Sequence, residues 1–259
     1  MLIDTHCHLE KSDYDNIEEV INNMNNNIMI VCSENLETAH NVVELSKTYD
    51  NIYGTIGFHP NELDNFNEQT LKELEELLKN DKIVGIGEIG LDYHYGKDDC
   101  EIQKEAFIKQ IELAIKYNLP IVVHSRDAAY DTLEILKKYP NLKIDMHCYG
   151  YSLEIAKELL TQNVKFGIGG VLTFKNSKII KEVVDYLDLK DILLETDSPF
   201  LAPEPVRGTK NEPSNVKYIA EYIAKLKNID IKKVKEITTN NAISQFDLKL
   251  KKWYDFYVI

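Results

Sequence analysis

Short apolar runs alternate with longer amphipathic stretches along the whole chain of 259 residues. Candidate strands fall at Leu2–Thr5, Ile28–Cys32, Tyr53–Gly57, Ile83–Gly87, Ile121–His124, Lys143–Met146, Val164–Ile168 and Ile192–Glu195. Several are nearly continuous in Ile and Val instead of alternating, the pattern of parallel strands buried on both faces. Between them a helical period predicts helices over Ile17–Met24, Glu37–Tyr49, Gln69–Leu78, Ile102–Lys116, Ala128–Lys138, Leu153–Leu160, Lys178–Leu187 and Val216–Lys227. Eight strands alternating with eight helices predict an α/β chain of the (β/α)8 TIM-barrel class more readily than an open sheet. A last helix at Ile231–Phe246 would pack outside. The length suits one such barrel, and no linker-like stretch divides the chain, so a single domain over residues 1–259 is expected. The tail Leu248–Ile259 carries Trp253, Tyr254, Phe256 and Tyr257. Its aromatics are expected to cover a strip of the barrel exterior, with an interface as the alternative.

Composition changes this picture little: 44% hydrophobic and 28% charged residues are ordinary for a globular domain. The local asparagine cluster from Asn22 to Asn27 reads as a helix end and turn. Cys7, Cys32, Cys100 and Cys148 show no CxxC pairing, which points to reduced thiols. Met1 leads directly into the first strand, with neither a basic nor an apolar leader segment, and no apolar run is long enough to span a bilayer. A cytoplasmic chain without a membrane partner is expected. Net charge is more informative: −13 argues against broad wrapping of nucleic acid by Lys and Arg. An acidic enzyme still handles phosphates where bound cations supply positive charge locally.

The polar residues of interest fall at the strand ends. His6 and His8 follow the first strand, Glu88 ends the fourth, His124 the fifth and His147 the sixth, and Asp197 follows the eighth. That is the C-terminal rim where barrel enzymes gather reactive groups. In the extended segment Asp4-Thr5-His6-Cys7-His8, His6 and His8 share a face and can grip one cation, while Cys7 points away. Asp4 lies deeper and suits orientation of the histidines or structural pairing. Glu88 sits among glycines in Gly85-Ile86-Gly87-Glu88-Ile89-Gly90, where its carboxylate can bridge two cations. His124 and His147 would bind a second cation beside it. Asp197 is placed to face the metals and to take a proton from water. Glu195 is expected lower in the barrel in an ion pair, and Asp92 either belongs to this group or caps the next segment. His40 reads as a surface residue, and His94 is near enough to Glu88 to reach a cleft.

DTHCHL near the start, GIGEIGLDY, PIVVHSR, the histidine in DMHCYG, and LLETDSPFLAP followed by Arg207-Gly208 and Asn211-Glu212-Pro213 together resemble the TatD-type deoxyribonucleases, barrel metallohydrolases of the amidohydrolase kind. The resemblance runs from Leu2 to about Phe246 with the motifs in order. It implies that His6, His8, Glu88 and Asp197 hold one divalent metal and that Glu88, His124 and His147 hold the other. It also implies that His59 and Arg126 line the substrate cleft, Arg126 as a bidentate phosphate fork, with a turn histidine and a rim salt bridge as the respective alternatives. Tyr149 departs from the phenylalanine common in the family, which puts the local shape of the cleft in question.

The function this implies is a metal-dependent deoxyribonuclease in which water activated by two metals attacks the phosphodiester and Asp197 takes the proton, with Glu88 as the other catalytic carboxylate. Similar proteins are 3′–5′ exonucleases, so single-stranded or frayed DNA ends are the expected substrate. The chain is expected to act as a monomer without an obligate protein partner. Histidine-rich ligation favours Zn or Mn, whereas the family is described as Mg-dependent. Two alternatives remain at this point. The same metal site would serve an ester or amide hydrolase, such as an aminoacyl-tRNA deacylase, and a barrel kept only for a binding partner is conceivable.

Overall fold

In a computed structural model that describes residues 1–96 and 99–250, eight strands form one parallel sheet in the order of the sequence. They are β1 (Ile3–Cys7), β2 (Ile28–Cys32), β3 (Ile52–Ile56), β4 (Ile83–Asp92), β5 (Ile121–Arg126), β6 (Ile144–Met146), β7 (Val164–Ile168) and β8 (Ile192–Leu194). The helices are α1 (Ile17–Asn23), α2 (Leu36–Thr48), α3 (Glu68–Leu77), α4 (Cys100–Tyr117), α5 (Ala129–Leu136), α6 (Leu153–Leu159), α7 (Lys178–Tyr186), α8 (Val216–Lys227) and α9 (Ile231–Phe246). This is the (β/α)8 barrel expected from the pattern. Strand residues such as Ile28, Ile30, Ile52, Ile121 and Val122 are fully buried, which is why these runs are apolar on both faces. Among the described residues no helix is long and apolar enough to cross a membrane. Trp253, Tyr254, Phe256 and Tyr257 of the aromatic tail lie outside the described residues.

The chain gathers into two compact units, one comprising Met1–Ile30, Cys148–Leu153 and the segment from Lys165 onward, the other Val31–His147 and Glu154–Val164. In the second, α2 and α3 are opened by asparagines. Asn35 and Asn67 accept the N3 backbone N–H of α2 and α3, and Thr38 and Thr70 at N3 answer with their hydroxyls, so the exposed N-terminal amides are satisfied. The decisive local feature lies in β4. Its register against β5 runs Ile86 opposite Ile121 but Ile89 opposite Val123, so one extra residue is accommodated around Gly87-Glu88. The strand does not end at Gly87, as the sequence pattern suggested. It resumes beyond the bulge with Ile89 and Leu91 buried and continues to Asp92. Glycine makes the close approach possible. Gly90 has φ +144°, and a Cβ there would lie 1.9 Å from the His124 carbonyl oxygen.

In the first unit, β7 pairs with β8 through Phe166–Ile192 and Ile168–Leu194. The chain after β8 runs beside β1. Asp197 N–H donates to the His6 carbonyl at 3.0 Å, His8 N–H donates to the Ser198 carbonyl at 2.7 Å, and Cys7 and Ser198 form a parallel bridge. The last strand therefore returns to the first. Asn241 on α9 donates to the Leu189 and Ile192 carbonyls at 2.7 and 2.8 Å, which anchors that helix at the start of β8. The asparagine cluster does what a helix stop requires: α1 ends at Asn23 and Asn25 takes a left-handed φ of 51°.

Replacing Gly90 by alanine forces both a disfavoured φ and a collision with backbone that has no rotamer to yield. We expect Gly90→Ala to lose about 2–4 kcal/mol of stability, read as a lower urea midpoint at unchanged m. An unchanged midpoint would show that β4 and β5 separate freely at this point.

Candidate metal centre

Within the unit that holds β1 and β8, the alternation of an extended strand puts His6 and His8 on one side, and their Nε2 atoms lie 3.1 Å apart. Asp197 Oδ1 stands 3.8 Å from each of these nitrogens. His6 is fully buried and His8 nearly so, whereas the Asp197 side chain keeps 15% of its surface open. Metal–ligand bonds of about 2.0–2.2 Å place neighbouring donors roughly 3.0–3.4 Å apart, so the three atoms are near ligand spacing. Cys7 points away, its thiol toward the Ile30 carbonyl at 3.6 Å. Asp197 has φ 52°, a left-handed conformation that aspartate tolerates better than most residues.

Asp4 fixes the two segments that carry these donors. It accepts the Thr196 N–H at 2.9 Å and the Thr196 hydroxyl at 2.6 Å, with His6 N–H at 3.3 Å. Complete burial pushes its carboxyl well above the usual range, and the bonds from Thr196 and His6 oppose that rise. Asp4 is therefore an orienting group, as its depth in the strand suggested. Glu195 is fully buried and accepts the Cys148 N–H at 2.7 Å, which secures the left-handed turn just after His147.

Within the other unit, Glu88 is the hub. Its Oε1 lies 2.7 Å from His124 Nδ1, 3.6 Å from His147 Nε2 and 3.8 Å from His59 Nε2. The far side of the His124 ring meets a second carboxylate, with Nε2 3.3 Å from Asp92 Oδ2. Burial disfavours a charged His124, but the hydrogen bonds and negative charges of Asp92 and Glu88 outweigh it and raise its pKa to about 9. For Asp92, burial is likewise overcome by bonds from His124, His94 N–H and Asn61, which hold its carboxyl well below the usual range. Two buried acids thus fix a positive charge at this point, whether carried by a proton or by a metal ion.

His59 is distinguished from the metal donors by its hydrogen bonding. Its Nδ1 accepts the Asn61 N–H at 3.1 Å, which leaves the ring proton on Nε2 in the neutral tautomer. A protonated Nε2 donates to an oxygen and does not ligate a metal. The ring packs edge-on to His124 with centroids 4.4 Å apart. Arg126, at the end of β5, is exposed. Among the described residues its guanidinium pairs with no carboxylate and lies 5.8 Å from the centre of the Tyr95 ring. Tyr149, the departure from the family pattern, is buried against Phe166 and donates its hydroxyl to the Ser152 carbonyl at 2.8 Å. His40 is exposed on α2, and His94 is exposed with Nδ1 3.1 Å from Asp127.

The structure thus groups His6, His8 and Asp197 in one set and Glu88, His124, His147 and His59 in another. The sequence left Asp92 open between this group and a capping role, and it did not single out Asn61. The sign of Asp92 was the alternation of Ile89 and Leu91 with Glu88, Gly90 and Asp92, legible once β4 is carried past Gly87. Imidazole nitrogens and carboxylate oxygens in these combinations fit a borderline divalent cation such as Zn or Mn.

A model of the family described as TatD related DNase matches residues 3–247. The chain is 44% identical to the metal-dependent hydrolase YabD of Bacillus subtilis, over 93% of this chain and 97% of that protein. It is 32% identical to the metal-dependent hydrolase YcfH of Escherichia coli, over 95% and 96% of the two chains. Among solved structures, the TatD homologue YJJV of Escherichia coli superposes with a TM-score of 0.89 at 26% identity, covering 95% of this chain and 98% of that one.

Substituting His8 by alanine is expected to lower zinc content on metal analysis. Removing the Thr196 hydroxyl with Thr196→Val should weaken zinc binding by about 10–100-fold, because Asp4 then loses its shortest bond to the segment that carries Asp197 and keeps only the two backbone N–H groups. His59→Ala should leave zinc content at the native level. A fall in zinc with His59→Ala would overturn the tautomer assigned to that ring.

Proposed function

Because this chain belongs to the TatD family of metal-dependent hydrolases, we propose that it hydrolyses phosphodiester bonds of DNA, working from the 3′ ends of single-stranded or frayed strands. What supports this reading is that each unit carries a histidine–carboxylate donor set, and that the unit of Glu88 also carries two groups suited to anionic oxygen, His59 Nε2–H and the exposed Arg126 guanidinium. In this reading His6, His8 and Asp197 hold one divalent cation, and Glu88, His124 and His147 hold another. The donors favour Zn or Mn as resident ions, with Mg as the other candidate. Bound cations there supply Lewis-acid charge to the phosphate and lower the pKa of water.

The chain's own residues do the rest. Asp197 is the accessible carboxylate of its set, and its oxygen receives the proton of the water that attacks phosphorus. The new phosphorus–oxygen bond to the water oxygen forms as the ester bond to the leaving sugar oxygen breaks, and that oxygen takes up a proton from solvent. His59 Nε2–H and the Arg126 fork hold non-bridging oxygens, and Arg126 offers two parallel N–H donors that a lysine would not. Asp92 and Glu88 keep the His124 ring in one orientation. With a net charge of −13, the protein holds an anionic substrate through local charge and not through a basic surface. That suits a short single-stranded end better than a long duplex. A cytoplasmic monomer is the setting we propose.

The test is cleavage of a 5′-labelled single-stranded oligonucleotide with Mg, Mn and Zn, comparing the native chain with Asp197→Asn. The expected result is a ladder shortening from the 3′ end, slowed about 10²–10⁴-fold in the variant. Internal cuts of closed circular DNA at a comparable rate would overturn the end-directed mode. A metal-loaded native chain that leaves DNA intact but releases amine or amino acid would move the substrate to the amide or ester class.

A further inference from the structure

Tyr95 is 78% exposed, the most open of the large apolar and aromatic side chains among the described residues. An exposed aromatic ring on a loose loop would carry no meaning. This one sits at the tip of a turn held from several directions. Gly96 N–H closes the turn onto the Tyr93 carbonyl at 3.2 Å, with Gly96 at φ 130°. Tyr93 is buried, donates its N–H to the Arg126 carbonyl at 2.9 Å and its hydroxyl to Asp131 at 2.7 Å. His94 N–H donates to Asp92 Oδ1 at 2.9 Å, and its ring meets Asp127 at 3.1 Å. The turn is hydrogen-bonded to the end of β5, and the Tyr95 ring, with the His94 ring edge-on at 5.1 Å, still stands largely in solvent.

Its neighbour is the Arg126 guanidinium, 5.8 Å from the ring centre, within cation–π range. Arg126 stands two residues beyond His124, and Tyr95 three residues beyond Asp92, the carboxylate that holds the His124 ring. The guanidinium lies over one face of the ring, so an aromatic surface and a forked cation are held together two residues from His124, and the two match the halves of one nucleotide. The base takes the ring, and the phosphate takes the fork.

We propose that Tyr95 is a specificity-determining residue, the platform on which an unpaired base stacks while Arg126 holds the adjoining phosphate. This rests on the nuclease reading and deepens it. A base inside a duplex has both faces covered by its neighbours, whereas an unpaired base can turn a face outward. Tyr95 therefore selects single-stranded or frayed ends, and it does so without regard to sequence, because every base has such a face.

The experiment compares the full native chain with Tyr95→Ala and Tyr95→Trp on two labelled single strands, one complete and one with abasic 3′-terminal nucleotides. A parallel titration follows the fluorescence of 2-aminopurine placed at the 3′ end, with Asp197→Asn as the background to prevent turnover. Tyr95→Ala should raise KM for the complete strand roughly 5- to 150-fold, with kcat little changed. It should abolish the native preference over the abasic strand and remove quenching of 2-aminopurine, while Tyr95→Trp restores all three. Unchanged KM and preference in Tyr95→Ala, with the native chain active on DNA, would overturn the proposal and leave the nuclease reading intact. If the native chain cuts no DNA, that reading falls. The 2-aminopurine titration then decides separately: quenching lost in Tyr95→Ala supports the platform, and its absence from the start overturns it.

Discussion

Buried carboxylates in a chain with thirteen excess negative charges must each meet positive charge or hydrogen-bond donors, since an unmatched buried ion costs several kcal/mol. Asp4, Glu88, Asp92 and Glu195 are all buried, and the polar architecture follows from how each is matched. Glu195 takes a backbone N–H after His147, and Asp4 takes a hydroxyl and two backbone N–H groups. Glu88 and Asp92 share the ring of His124 between them. The first two arrangements set the positions of ligand-bearing segments. The third leaves negative charge concentrated where a cation is most strongly favoured, so the same requirement that orders the interior also creates the candidate metal centre.

The backbone supplies the closeness this requires. Carboxylate and imidazole come within hydrogen-bonding range across β4 and β5 because Gly90 lets the main chain of one strand approach that of the other without a Cβ in the way. The bulge at Gly87-Glu88 advances the residues that follow it by one position against β5. Stability and ligand geometry are thus coupled at one glycine. The left-handed Asp197, by contrast, is held through backbone bonds to β1 and through the grip of Asp4 on Thr196. Its side chain keeps 15% of its surface open to solvent.

Reactive groups and recognition groups are separated by burial. The nitrogens and oxygens suited to metal are largely shielded, which strengthens their electrostatics. Arg126 at the end of β5 and Tyr95 on the turn after β4 stand in solvent. A guanidinium and an aromatic ring thus stand together in solvent within a chain of strongly acidic balance.

The eight strands and nine α-helices of the described residues were legible in the sequence because a barrel writes its periodicity plainly: strands buried on both faces must be apolar throughout, and each intervening helix needs one apolar stripe. The same regularity exposed His6, His8, Glu88, His124, His147 and Asp197, polar residues at the ends of otherwise apolar runs. What the sequence left open were matters of register and contact. The β4 pattern is broken by glycines, which mark either a strand end or a bulge, and only the pairing with β5 decides between them. For the same reason Asp92 was ambiguous until its oxygen was found against His124. The proton on His59 depends on a backbone N–H two residues away, and the partner of Arg126 on a tyrosine from a different loop. Periodicity follows from burial along one element, and one chain records it. Contacts between elements depend on how they pack, and only the tertiary structure decides those.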